Sequence, residues 1–240
     1  PSRMLNLILY PAPSSLMFWD MLALLGYLVL NVVIGFWTFD AERKGAPPPG
    51  WIKPLIYASI PWAVGIHTVT ALLYSGLEAR HLWLSAILAP RFLASAFAAG
   101  PSILLLLCLL VRKTAGFDVG KDAIQKLAEI VAYAMVINVF FILLELFTGL
   151  YSNIPEHADH ISYLYAGHDG FAALAPFMKL SLFLAAASVA MLLFPSLRRN
   201  EKTLVAACIM VLVSLWIDKG FGMIVAGFIP SSFGYYNEYH

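Results

Sequence analysis

Six runs of the sequence, at about 16–39, 54–77, 90–111, 130–151, 171–194 and 203–229, are apolar nearly throughout. Each reaches the roughly 20 residues that a helix needs to cross a bilayer core. The expected fold is an all-α integral membrane bundle with six visible transmembrane helices, residues 1–240 forming one membrane domain. Composition agrees. Hydrophobic residues make up 61% of the chain and charged residues 12%, with a mean hydropathy of +0.80, which leaves too little polar surface to cover a soluble globule.

The same features exclude several classes of function. A net charge of +1 gives no basic surplus for nucleic-acid phosphates. Cys108 and Cys208 both lie inside apolar runs, without the spacing of a metal or haem attachment motif, and read as small buried hydrophobes. His67 is the one histidine inside any run, whereas a membrane haem b needs paired axial histidines. No metal site is expected. The N-terminal stretch begins at Pro1 and lacks the basic and apolar regions of a signal peptide, so the chain reads as the C-terminal part of a longer protein.

Charge between the runs sets the orientation. The loops after runs one, three and five carry Arg43, Lys44, Lys53, Arg112, Lys113, Lys121, Lys126, Arg198, Arg199 and Lys202, ten of the fifteen Lys and Arg residues. These loops are placed in the cytoplasm. Pro1, the segment 78–89 and the segment 152–170 then face outward. The latter holds His157, His160 and His168 with Glu156, Asp159 and Asp169, and it reads as an exposed polar loop, as does His81 in the former. Trp51, Trp83, Tyr235 and Tyr236 fit an interfacial aromatic belt. The small residues at 94–100 fit close helix packing, and Pro101 a kink.

Ionisable residues inside apolar runs carry the functional signal, because each costs a few kcal/mol or more in the membrane unless it is received by a partner or by water. They are Asp20, His67, Arg91, Glu145, Lys179 and the adjacent pair Asp218 and Lys219. At a rise of about 1.5 Å per residue, Asp20, Arg91 and Glu145 fall in the outer part of the membrane. His67 and Asp218 lie between the middle and the outer face, and Lys179 lies near the middle. Two readings stay open: helix ties, such as Glu145 with Lys179 or Asp20 with Arg91, or a one-sided titratable set that serves as a proton path or borders a quinone site. His67 is the leading single candidate.

Four phrases, PSSLMFWD (13–20), SIPWAVGIHT (59–68), APRFLASAFAAGP (89–101) and WIDKGFGMIVAGFIPSSFG (216–234), resemble in order the NrfD/PsrC family of membrane subunits known from polysulfide reductase and related complexes. The last phrase is most similar to the type found in the DsrMKJOP complex associated with sulfite reduction. The resemblance implies about ten spans in the long members, the six here being the last six. It also implies no covalently bound redox cofactor, menaquinone or menaquinol as substrate, and electron exchange with an extracytoplasmic, four-cluster ferredoxin-like iron–sulfur subunit. Other membrane and cytochrome subunits would complete the complex, in the cytoplasmic (inner) membrane of a prokaryote. His67 and Arg91 are carried over as quinone-site or proton-path residues, and Asp20, Glu145, Lys179 and Asp218 as a proton path. Where relatives place an acid shortly after the histidine, this chain has Ala71, Leu72, Leu73 and Tyr74. A secondary transporter, or a structural anchor with no quinone site of its own, are the rival expectations.

Overall fold

The computed structural model describes residues 3–77, 80–152, 154–167 and 172–227. The tail with Tyr235 and Tyr236, the end of the expected sixth run, and His168 and Asp169 lie outside the described residues, as do the side chains of His81, Glu156 and His157. Six helices among the described residues are long and apolar enough to cross a membrane. The chain divides into two compact units, residues 1–76 and 77–240.

The first unit contains α1 (Arg3–Leu9), α2 (Leu16–Arg43) and α3 (Ile52–Ser75). Arg43 closes α2 where the carbonyl end of the helix favours a cation. α3 passes through Pro61 and stops at Gly76. The two long helices run antiparallel: Trp37 meets Trp51 edge to face at 5.6 Å, Trp62 Nε1 donates to the Ala23 carbonyl at 2.9 Å, and Thr70 Oγ1 donates to Asp20 Oδ1 at 2.6 Å. Gly26 allows the crossing, since a Cβ there would stand 2.5 Å from the Trp62 ring. Within the most apolar stretch of α2 no residue is buried, so its Leu and Val side chains are a surface for lipid or protein.

The second unit is built on α4 (Leu88–Ala115), α5 (Lys121–Tyr151), α7 (Ala175–Leu193) and α9 (Glu201–Ile217). α4 packs on α5, α5 on α7, α7 on α9, and α9 back on α4, closing a four-helix ring. Lipid tails are as apolar as leucine, so helices associate here through close packing and interhelical hydrogen bonds. The sequence supplies both. Ala94, Ser95, Ala98 and Ser102 form the buried stripe of α4, as the small residues there predict, and Ala128, Ala132, Ala185, Ala207 and Cys208 meet in the core. Ser181 and Ser214 each donate to the other's carbonyl, at 2.8 and 2.9 Å, and tie α7 to α9.

Three expectations are corrected. The segment 152–170 is not simply an exposed loop: Pro155–Tyr165 forms α6, with His160, Ile161 and Leu164 buried. Proline at the first helical position is already set for the helix, and the spacing 161, 164, 165 gives it an apolar face. Trp83, at the end of the 3₁₀ turn His81–Trp83, is not part of an interfacial belt. It is 3% exposed and donates to the Met223 carbonyl at 2.9 Å. α5 begins at Lys121, well before the apolar run at 130, because its polar first turns extend beyond the apolar core. The short α8 (Pro195–Arg198) links α7 to α9.

The sixth span changes character midway. α9 passes at Asp218 into a π-helix, Asp218–Val225, a wider turn found mostly as short segments and often at functional sites. Two glycines let neighbours approach it closely. A Cβ on Gly222 would lie 2.8 Å from Met178 Sδ, and one on Gly227 would overlap the Trp83 ring.

Candidate functional site: a buried charge cluster beside a groove

Arg91 sits in the first turn of α4, 9% exposed. Its guanidinium forks between two helices: Nη1 donates to Glu145 Oε2 on α5, and Nη2 donates to Asp218 Oδ1 at 2.5 Å, where the π-helix starts. Asp218 is 2% exposed. Its other oxygen faces Lys219 Nζ at 3.5 Å, and the same ammonium lies 5.0 Å from the centre of the Phe92 ring, within cation–π range. Two cations and two carboxylates thus cancel. That cancellation lets four charged groups persist where a single one would be costly.

Two spaces adjoin the cluster. A small cavity of about 40 Å³ is bounded by Arg91, Glu145, Tyr165, Met178, Asp218 and Gly222, among others. That is enough space to hold at least one water. A groove of about 320 Å³ runs between α5, α6 and residues 82–87, with Ser85, Glu145, Thr148, Ser152 and His160 as its polar side chains. Its size is at the lower end of the ~300–1,000 Å³ usual for small-molecule sites. Glu145 lines both spaces. Its carboxylate can therefore face a ligand in the groove while it holds the buried guanidinium. On α6, burial and the Asp218 charge push the Tyr165 phenol up to about 12, against the opposing pull of Arg91, so at neutral pH it is a proton-bearing hydroxyl.

Of the residues singled out from sequence, Arg91, Glu145 and Asp218 are brought into one cluster. The Glu145–Lys179 tie offered by one reading does not form: Glu145 and Asp218 both bind Arg91, and within the first unit Asp20 accepts from Thr70. Lys179 is exposed and joins no ion pair among the described residues. The reason is helical rotation. Met178 points into the small cavity, and the next residue, about 100° further round, points away. His67 belongs to the first unit. Half-buried on α3, its imidazole makes no hydrogen bond to another described side chain, and it lies one turn from Thr70 on the same face.

Sequence reasoning missed His160 and Tyr165 as site residues and gave Lys219 no role of its own. For the first two the signal was present: Pro155 followed by an acid, then His160, Ile161, Leu164 and Tyr165 at helical spacing. Lys219 was legible only as the neighbour of Asp218.

Comparison with known proteins accords with this architecture. A protein of Halobacterium salinarum assigned as a dimethyl sulfoxide reductase membrane subunit is 22% identical over 254 residues, covering 95% of this chain and 55% of that protein. A selenate reductase subunit of Mesobacillus selenatarsenatis is 23% identical over 200 residues, covering 68% of this chain and 45% of that protein. The chain spans about half the length of these curated relatives. The family model described as "Polysulphide reductase, NrfD" matches residues 1–229, from α1 through the π-helix. On that match the chain belongs to the NrfD family of polysulphide reductase membrane proteins.

Proposed function

We propose that this chain is a quinone-interacting membrane subunit of a respiratory reductase complex, and that the head group of menaquinone or menaquinol sits in the groove beside Glu145 and His160. The observation that carries the reading is the double exposure of Glu145, to the groove and to the cavity beside Arg91 and Asp218. Oxidation of a quinol to a quinone releases two electrons and two protons, and the reverse reaction takes them up. The electrons pass to or from an extracytoplasmic iron–sulfur subunit. The protons need an acid or base within reach of the quinone oxygens. When Glu145 takes a proton it loosens one arm of Arg91, while Asp218 keeps the other, so the buried guanidinium is never left without a counter-charge.

The remaining ionisable residues of the cluster extend this reading. Within the second unit, Asp218 and Lys219 carry the proton path on from Arg91. The finer assignment to the DsrMKJOP type rests on the phrase at 216–234, which supplies Asp218, Lys219 and the glycine that faces Trp83. The rival anchor reading is favoured by the neutrality of the cluster, which suits a helix tie.

One experiment separates them: quinol-linked turnover of the intact complex, with Glu145→Gln beside wild type, and complex assembly followed in parallel. A drop of about 10²-fold or more in an assembled complex supports Glu145 as the proton-handling group. Wild-type turnover in an assembled Glu145→Gln complex would leave the cluster as a tie. Solute uptake by vesicles that lack the redox partners would instead favour a transporter.

A further inference from the structure

A second cavity lies at the opposite end of the four-helix ring. It measures about 570 Å³ and is bounded by the start of α5, the end of α8 and the start of α9. Its charged lining is Lys121, Lys126, Arg198 and Arg199 against Asp122, Glu129 and Glu201. Most of the negative charge is already taken. Glu129 binds Lys126 at 3.0 Å and Arg198 at 3.2 Å, and Glu201 is held by Arg112 at 2.5 Å. Lys121 and Arg199 are left with no ion pair among the described residues, facing Asp122. Arg198 Nε is buried with no hydrogen-bond acceptor. The first turn of α5, a 31-residue helix, adds unpaired N–H groups and the positive end of its dipole.

The surroundings indicate the kind of anion. Phe194 and Leu197, within one turn of Arg198, are 60% and 38% exposed, so an apolar collar adjoins the basic groups. Charge distribution places this end on the cytoplasmic side, whose leaflet carries anionic lipids and where basic pockets between spans bind their head groups. We propose that this cavity binds the phosphate head group of an anionic phospholipid, with Lys121, Arg199 and Arg198 Nε as donors and the acyl chains along Phe194 and Leu197.

The test is native mass spectrometry of the purified full-length protein with phosphatidylglycerol, phosphatidylcholine or inorganic phosphate. Wild type should retain phosphatidylglycerol selectively. The double variant Lys121→Gln with Arg199→Gln should bind it about 30-fold more weakly, since each basic residue near an anionic lipid contributes about one kcal/mol. The control Lys113→Gln with Lys202→Gln, on the same side but away from the cavity, should bind like wild type. Equal loss in both double variants would reduce the effect to general surface charge and overturn the proposal. So would unchanged binding in the cavity variant, equal retention of phosphatidylcholine, or displacement of the lipid by millimolar inorganic phosphate, which would mark a site for the free ion.

Discussion

In the first unit the long-range contacts of Thr70 to Asp20, and of Trp62 to a backbone carbonyl, are single bonds. In the second unit Arg91, Glu145, Asp218 and Lys219 form one network spread over α4, α5 and the π-helix. The contrast extends to packing. No residue is buried in the most apolar stretch of α2, against 44% of that stretch in the sixth span. A network of mutually compensating charges can be buried, but the loss of one member leaves the others exposed to the full cost of desolvation. Isolated bonds fail one at a time.

That difference should order the response to mutation. The largest effect is expected for Arg91→Met, which strands Glu145 and Asp218: a loss of about 3–5 kcal/mol and of turnover, read by denaturation in detergent and by quinol oxidation. A stability change as small as that of Thr70→Val would break the comparison. Next comes Gly227→Ala, whose methyl group overlaps the Trp83 ring; overpacking of this kind costs about 1–3 kcal/mol, and Trp83 fluorescence should shift as the ring is displaced. In the first unit, Thr70→Val removes one interhelical hydrogen bond, which in membrane proteins averages about 0.6 kcal/mol, so its melting temperature should barely move.

Two smaller effects sharpen the contrast. His67→Ala should leave stability almost unchanged, because its imidazole has no side-chain partner among the described residues. A fall in quinol turnover without loss of assembly would then assign His67 a functional role. Tyr165 has a folded-state pKa raised to about 12, above the ~10 of an unfolded tyrosine. Its contribution to stability is fully present below about pH 10 and is lost as the pH rises from there towards 12. Phenolate absorbance from Tyr165, taken as wild type minus Tyr165→Phe, should emerge only near the top of that range.

The site was partly legible in the sequence. Arg91, Glu145 and Asp218 stood out because charges are rare in apolar runs, and the structure brings those three together. Their pairing was not legible, since the rotation of each helix decides which side chains meet. Lys179 shows this best: one position away, Met178 faces the cavity in its place. His160 was hidden for a different reason. A short polar segment outside the apolar runs has no hydropathy signal, and its burial depends on α6 packing against α5 and α7.

The sequence by itself determined six membrane-crossing helices, a bias of basic residues to one side and a set of costly charges, because run length and charge in hydrocarbon depend on local composition. Only the tertiary structure decided that three of those charges share one network with Lys219, that the sixth span widens into a π-helix at Asp218, and that Glu145 borders two spaces. Each of these depends on which helix faces which, and at what rotation. Close packing of small residues such as Ala98, Ser102 and Ala185 sets that rotation.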